Sequence, residues 1–476
     1  MGLTTSILPG PTLSKVGEEG ALVGTTVDSS GRACYEDCTF VSRGPAMGDR
    51  QAIGVGLLGL GTVGSEVYRL LQDGDALARA AGRPVVVKRV AVARPERPRQ
   101  ISIPAGVLGS NGLEIVTSPE IDIVVELIGG IEPARSYLLR ALSSGKSVVT
   151  ANKALLAAHG IELFAQAESS GAHLYFEASV GGGIPLIKPI SESLAAARLK
   201  AITGILNGTT NFILTRMAHE GWSFEDALAE ARRRGFAEAD PADDVDGHDA
   251  AAKLAILATV AFRRHVRGVD VYREGISRIT PRDFVYAKEL GFGIKLLAIA
   301  RIHDGEVEAR VHPALVPLDH PLALVPDEFN AVLVEGDDVG RIVFSGRGAG
   351  GAPTATAVVG DILAVARDLA AGVRGRSLIG AGTSTRVRPI EDVVVPYFLS
   401  LQVVDRPGVF ARVAAAIGEE QVSIASIVQK SRGEVAEAIL VTHDAPEHAI
   451  RRVQDRLRAL GVVKAISSVI RVEGSV

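Results

Sequence analysis

Cysteine is scarce in this chain of 476 residues: there are two, Cys34 and Cys38, both inside the first fifty positions. From Met47 onward there is none, and that absence removes whole classes of chemistry. An acylating aldehyde dehydrogenase needs a cysteine nucleophile, and a zinc alcohol dehydrogenase usually takes cysteine ligands. The ten histidines are scattered without metal-ligand spacing, and none of the seven tyrosines is followed four residues later by lysine, so a Tyr-Lys proton relay is also missing. No uninterrupted apolar run reaches the roughly 18 residues of a membrane span. With 47% hydrophobic residues the chain therefore reads as a soluble globular protein with no membrane partner. A net charge of −4 and no basic stripe leave nothing for nucleic acid to hold. The partners are small molecules, and acid–base work falls to lysines and carboxylates.

The first fifty residues are rich in Gly, Ser and Thr and lack a sustained period. They contain no basic segment followed by an apolar one, so no secretory signal is expected and the location is cytoplasmic. The Cys34/Cys38 pair has no companion ligands and reads as coincidence. Residues 1–50 are expected to be a disordered tail or the product of an upstream start codon, since Met47 lies just before the first strand.

Ile53 to Leu58 is a short apolar run leading into Gly59-Leu60-Gly61-Thr62-Val63-Gly64 and then a helical pattern through Leu71. Strand, tight glycine turn and helix start form the context in which G-x-G-x-x-G means dinucleotide binding. The first two glycines allow the turn and the approach of a pyrophosphate, the third allows helix and strand to pack closely, and the helix N-terminus offers free N–H donors. Further strands are expected at Val85 to Val92, at Ile123 to Leu127 ending in Ile128-Gly129-Gly130, and at Ser147 to Thr150. Their alternation with helices implies a parallel sheet. At the end of the second strand an acid suits the ribose of NAD and a base the 2′-phosphate of NADP. Arg94, with Arg97 and Arg99 behind it, favours NADP(H) over NAD(H); the alternative is a solvated basic loop.

Between Ala250 and Phe262 the only charge is Lys253, preceded by the acid-dense stretch Glu238 to Asp249. A helix apolar all round is normally buried, and a buried ammonium needs a partner. Asp249, four residues earlier, falls on the same helix face. The pair is either an ion pair locking a loop onto a helix or catalytic machinery. Lys153, just past the strand ending at Thr150, stands where ligands bind in such sheets.

Ala231, Gly235, Asp240-Pro241, Asp244, Gly247, Asp249 and Lys253 stand in the register of the homoserine dehydrogenase signature. The Gly59 to Gly64 turn, Thr150-Ala151-Asn152-Lys153, Glu177-Ala178-Ser179-Val180-Gly181-Gly182-Gly183 and Ile205-Leu206-Asn207-Gly208-Thr209-Thr210-Asn211-Phe212 resemble that family too. The resemblance runs from about Ile53 to the C-terminus and implies NAD(P)H-dependent interconversion of L-aspartate 4-semialdehyde and L-homoserine, in threonine, methionine and isoleucine biosynthesis. It implies Lys253 as proton donor and Lys153, beside the nicotinamide, as alternative donor or electrostatic aid. Asp249 and Asp244 become substrate-binding carboxylates, and Glu238 the anion for the substrate ammonium. Cofactor contacts are implied at Gly59, Gly61, Thr62, Val63, Gly64, Arg94, Gly129, Lys153 and Gly350. Glu177, Val180, Gly182 and Ile184 resemble a site for a monovalent cation, Na⁺ or K⁺, built mostly from main-chain carbonyls; composition alone reads the same stretch as a glycine-rich turn before Pro185. A homodimer or homotetramer is also implied.

The expected fold is α/β in three parts. Residues 51–152, with a returning helix at about 346–375, form a Rossmann-type NAD(P)-binding domain. Residues 153–345 form an α+β substrate and dimerisation domain whose antiparallel strands include Ile294 to Ile302, Val307 to Val311, Ala331 to Val334 and Arg341 to Phe344. Residues 396–476 follow the order strand, helix, strand, strand, helix, strand of a ferredoxin-like unit. Asp405-Arg406-Pro407-Gly408-Val409 there resembles ACT-type domains, which bind amino acids at paired interfaces, and L-threonine is the implied effector; the plain alternative is a dimerising appendage. Two other readings stand beside this one: an inactive amino-acid sensor on the same scaffold, and another NADP-linked hydroxy-acid dehydrogenase. A fused aspartate kinase is not expected, because fifty leading residues cannot hold one.

Overall fold

The structure, a computed structural model, describes residues 25–27, 33–35, 52–375, 385–430 and 434–474. It divides into two units, Met1–Gln51 and Ala52–Val476. In the first, Thr25–Val27 pairs antiparallel with Ala33–Tyr35. The rest of that segment, including Cys38 and most of the expected disordered tail, lies outside the described residues.

The second unit opens with a six-stranded parallel sheet. In spatial order its strands are Leu108–Gly109, Val85–Ala91, Ile53–Leu58, Ile123–Glu126, Ser147–Thr150 and Leu174–Tyr175. Numbered along the chain this is 3-2-1-4-5-6, the doubly wound order, whose switch point lies between the first and fourth strands. Alternating side chains serve two cores. Val55, Leu57, Ile123 and Val125 face helices Thr62–Leu70 and Gly351–Ala370, while Leu58, Val124 and Val148 face helices Ala134–Ser143 and Lys153–Ser170. Burial on both faces explains why these strands are apolar runs. The sheet has two more strands than the four expected, and it continues to Tyr175, past the domain limit placed at residue 152. The additional strands have two residues each, too few to carry a period.

The chain then leaves for a second, ten-stranded sheet before Gly351–Ala370 returns it to the first. Gly340–Arg347, Phe329–Gly336, Leu199–Ile205, Phe292–His303 and Glu306–Pro317 are antiparallel neighbours. Beyond them the same sheet continues through Val463–Val472, Tyr397–Val404, Val435–Thr442 and Ile424–Gln429. These last four take the ferredoxin-like order 4-1-3-2, with helices Val409–Gly418 and Glu447–Ala459 on one face. The two halves join where Ala314 and Leu315 pair in parallel with Arg471 and Val472.

That joint makes the C-terminal unit, expected as a separate third part, continuous with the sheet of the substrate domain. Arg310 is fully buried, and its charge is matched by Glu308 at 2.8 Å and by Glu473, from the end of the chain, at 2.5 Å. Glu473 also takes Arg301 at 2.8 Å. Burial alone would raise the Glu473 carboxyl, but Arg310 and Arg301 outweigh it and hold it below the usual glutamate range. A buried charge that loses its partner costs about 3–5 kcal/mol. Glu473→Ala is therefore expected to lower unfolding stability by roughly that amount, read by urea denaturation of the full chain. A loss under about 1 kcal/mol, the scale of an exposed ion pair, would show that the joint is not held this way.

Candidate active site

The acid-rich stretch folds as one turn of helix, Ala242–Val245, followed by Gly247 and the helix His248–Phe262. Gly247 has φ of 81°, a conformation that L side chains resist, and it aims the new helix back over the sheet. Asp249 in the first turn and Lys253 in the next fall on one side of this helix. Lys253 Nζ donates to Asp249 Oδ2 at 2.7 Å and to the Leu206 carbonyl at 2.8 Å. On the other carboxylate oxygen, Asp249 Oδ1, sits Lys153 Nζ at 2.7 Å. One buried carboxylate is thus held between two ammoniums, one from each sheet's territory. Burial would raise Asp249, yet Lys253 and Lys153 outweigh it and hold the carboxyl far below the ordinary aspartate range. Lys153 has the complementary balance: burial would lower it, but Asp249, with Asp243 and Asp244 behind, raises it.

Asn207 completes this cluster. Its Nδ2 donates to Asp244 Oδ1 at 2.6 Å and to Asp249 Oδ2 at 2.9 Å, while its Oδ1 caps helix Gly208–Glu220 by accepting from Thr210 N at 2.8 Å. The cap fixes the rotamer that keeps two carboxylates apart. Asp244 is raised, chiefly by burial and also by Asp249, against the lowering effect of its bonds from Asn207 and Thr209. Sequence reasoning quoted Asn207 within a motif but gave it no role; an N-cap asparagine before a Gly-Thr-Thr helix start was the signal available.

Lys153 is placed by a second chain of hydrogen bonds at the carboxyl ends of the parallel strands. Glu126, fully buried, accepts from Ile128 N and Gly129 N, both at 2.9 Å, and from Thr150 Oγ1 at 2.6 Å. Thr150 Oγ1 accepts in turn from Asn152 N at 3.0 Å. Asn152 Nδ2 donates to Gly130 O at 2.7 Å, and its Oδ1 caps helix Lys153–Ser170 through Leu155 N at 3.1 Å. The loop carrying Gly129 and the helix carrying Lys153 are therefore tied to one buried carboxylate. Nothing in the sequence pattern singled out Glu126, an acid ending an apolar strand.

The glycines of the first turn divide by what each requires. A side chain at Gly59 would meet the Leu127 carbonyl at 2.6 Å, and one at Gly64 would meet the Gly59 carbonyl at 2.5 Å, so the fold itself needs both. Gly61 has φ of −81°, open to any residue, and nothing within 4 Å of a side chain built there. The free space faces outward beside exposed Thr62 and half-buried Val63. Helix Thr62–Leu70 has no side-chain cap and no acid in its first turn, leaving its leading amides for an anion. The same holds for helix Gly351–Ala370, whose cap Gly350 has φ of 119°. A side chain at Gly351 would meet Thr62 Cγ2 at 2.9 Å, so two uncapped helix starts converge. Just past Val85–Ala91, Arg94 is exposed, whereas Arg99 is occupied by the carbonyls of Arg94, Pro95 and Arg97 at 2.8, 2.9 and 2.7 Å.

Glu238 is exposed, and among the described residues no ion pair to it is found. At the other predicted site the Glu177 carboxylate accepts three amides, from Leu186 at 2.5 Å, Ile187 at 2.8 Å and Lys188 at 2.9 Å. Its own N–H donates at 2.8 Å to Asp361 of the returning helix, a buried carboxyl pushed up to about 6 by burial against the lowering pull of Lys188. The main chain around it turns through Gly181 and Gly182 with φ of 75° and 55°. No group of three or more His, Cys, Asp or Glu suited to a metal ion occurs among the described residues.

The profile described as homoserine dehydrogenase, NAD binding domain, matches residues 59–177, that described as homoserine dehydrogenase matches 185–363, and the ACT domain profile matches 397–462. The homoserine dehydrogenase of Corynebacterium glutamicum is 47% identical over 90% of this chain and 97% of its own, and that of Bacillus subtilis 44% identical over 89% and 99%. A crystal structure of a homoserine dehydrogenase from Thiobacillus denitrificans superposes with a TM-score of 0.84 at 43% identity, covering 89% of this chain and 98% of that one. A hyperthermophilic archaeal homoserine dehydrogenase in complex with NADPH aligns with a TM-score of 0.57 at 28% identity over 66% of this chain and 98% of that one. With an NAD(P)-binding sheet, the Lys153–Asp249–Lys253 cluster at its edge and an ACT unit on the second sheet, the chain belongs to the homoserine dehydrogenase family.

Proposed function

We propose that the protein interconverts L-aspartate 4-semialdehyde and L-homoserine, using NADP(H) in preference to NAD(H), in threonine, methionine and isoleucine biosynthesis. The observation that carries this is the Asp249 carboxylate held at 2.7 Å from both Lys153 and Lys253. Reducing an aldehyde builds negative charge on its oxygen, and that oxygen must be protonated. When bound, the nicotinamide supplies the hydride. An ammonium has three N–H donors; Lys253 directs one to the Leu206 carbonyl and one to Asp249, leaving the third for the substrate oxygen. Lys153, raised by its carboxylate neighbours, stays charged through neutral pH and acts as a fixed positive charge beside the developing alkoxide. Its side chain is 40% exposed against 12% for Lys253, which supports this division: the open cation faces the cleft and the enclosed one is aimed. Glu238, exposed and unpaired among the described residues, receives the substrate ammonium, with Asp244 and Asp249 bounding the site.

The cofactor fits the residues available to hold it. The open space at Gly61 and the uncapped helix starts at Thr62 and Gly351 suit a pyrophosphate, with Gly59, Val63, Gly64, Gly129 and Gly350 framing the approach. Arg94 suits a ribose 2′-phosphate. A monovalent cation, Na⁺ or K⁺, also fits at Glu177, Val180, Gly182 and Ile184. The Glu177 side chain is occupied by amides, so the proposed ligands are main-chain oxygens, the donor type that suits a hard ion of low charge. A homodimer or homotetramer goes with the reading, supported by the exposed edge strand Gly340–Arg347. So does a cytoplasmic location; among the described residues no helix is long and apolar enough to cross a membrane.

A spectrophotometric assay of homoserine oxidation with NADP and NAD in parallel tests the reaction. Lys253→Ala is expected to lower turnover roughly 10²–10⁴-fold while cofactor affinity is little changed; near-normal turnover removes Lys253 from proton transfer. Gly61→Val should fold with unchanged stability yet lose dinucleotide binding measured by fluorescence titration, because only the ligand needs that space; retained binding would reassign the turn. Arg94→Ser should raise the KM for NADP about tenfold and leave that for NAD alone, whereas an equal change in both would return Arg94 to the status of a solvated loop residue.

A further inference from the structure

Glu126 ends an apolar strand and is fully buried, yet no ion pair to it is found among the described residues. An ionised carboxylate buried without a cation is costly, and the neighbouring strands Ile53–Leu58 and Val85–Ala91 end in apolar residues. Packing alone therefore does not call for an acid here. What the acid gains is a set of donors. It stands beside Thr150 in the parallel register and, two residues after Val124, faces the helices Ala134–Ser143 and Lys153–Ser170. One oxygen takes Ile128 N and Gly129 N, both at 2.9 Å, and the other takes Thr150 Oγ1 at 2.6 Å. Thr150 Oγ1 accepts from Asn152 N at 3.0 Å, and Asn152 Nδ2 returns to Gly130 O at 2.7 Å. These bonds form a closed circuit. On one side of it is the Ile128-Gly129-Gly130 loop, and on the other is the residue that caps the helix of Lys153.

The circuit lies on one side of the switch point. Val85–Ala91, with Arg94 just beyond, flanks Ile53–Leu58 on one edge, and Ile123–Glu126 flanks it on the other. A dinucleotide with its pyrophosphate at Gly61 and its adenosine ribose at Arg94 extends its second half toward Gly129 and Thr150. At that end stands Lys153, 2.7 Å from Asp249.

We infer that Glu126 is a positioning residue of the dehydrogenase: its carboxylate sets the loop that receives the nicotinamide half of the cofactor and, through Thr150 and Asn152, the placement of Lys153. One buried group would then align the hydride donor with the ammonium beside the developing alkoxide. The inference rests on the dehydrogenase reading above. Glu126→Gln keeps the shape but exchanges one acceptor oxygen for an NH₂ group, which must face either the two amides or the Thr150 hydroxyl.

Parent and Glu126→Gln are titrated by calorimetry with NADPH and with 2′-phospho-ADP-ribose, which lacks the nicotinamide but keeps the 2′-phosphate. Both are also assayed for homoserine oxidation. NADPH should bind about tenfold or more weaker to the variant, and the fragment within about twofold of the parent. The kcat should fall about tenfold or more. Adding Glu126→Gln to Lys153→Ala should lower kcat no more than about twofold further, because a residue that acts through another is not additive with it. Thr150→Val opens the circuit only on the Lys153 side, so it should lower kcat while NADPH binding stays within about twofold. That variant carries the test if Glu126→Gln does not fold, and an unchanged kcat in it would overturn the inference. So would equal weakening of NADPH and the fragment, unchanged binding and kcat in Glu126→Gln, or losses that multiply in the double variant. A parent inactive toward homoserine, with NADPH and the fragment still separated by Glu126→Gln, would instead sink the dehydrogenase reading and leave the role of Glu126 toward the cofactor in place.

Discussion

The arrangement around Asp249 depends on a mismatch of charge. A single carboxylate, 4% exposed, is set against two ammoniums. A buried carboxylate without partners would be driven to its neutral form; with one lysine it would be balanced, and with two the three-group unit carries one surplus positive charge, with the Asp244 carboxyl held apart behind Asn207. That surplus is useful only where negative charge is about to develop. Because Lys153 begins a helix packed on the parallel sheet and Lys253 sits in a helix beneath the second sheet, the same three groups also hold the two sheets in a fixed relation.

Supporting polar groups serve the same end. Asn207 and Asn152 each cap a helix with the carbonyl oxygen of the side chain while the amide nitrogen fixes another group, so helix ends and the Lys153–Asp249–Lys253 cluster are positioned together. Glu126 plays the corresponding part for the loop at Gly129. The buried network of Arg310, Glu308, Glu473 and Arg301 stitches the ACT unit to the substrate domain within one continuous sheet. Through the segment Arg273 to Ile279 the same side of the molecule meets the loop before Asp249, Arg471 bonding Glu274 at 2.9 Å and Ile276 N donating to the Val245 carbonyl at 2.9 Å.

Much of this was legible from local pattern. The strands Ile53–Leu58 and Ser147–Thr150 fall where their apolar runs put them, and Val85–Ala91 and Ile123–Glu126 end one residue short of the expected bounds. What escaped was short or inward. Leu108–Gly109 and Leu174–Tyr175 exist as strands because a neighbouring strand offers hydrogen bonds, not because of their own composition. Leu199–Ile205 shares only its last residue with the motif that begins at Ile205, and the rest of the strand carried no signal of its own.

The sequence by itself determined the chemistry on offer: no thiol in the body, a lysine and an aspartate one helical turn apart, and a glycine turn between strand and helix. Spacing along a chain reports only neighbours within a turn or a strand. Tertiary structure alone decided that Lys153 would complete the Asp249 pair from a different sheet, that Gly61 is free for a ligand while Gly59 and Gly64 belong to the fold, and that the ACT unit is joined edge to edge rather than tethered. Each of those outcomes rests on contacts between residues far apart in sequence, where burial and charge pairing act and local pattern carries no signal.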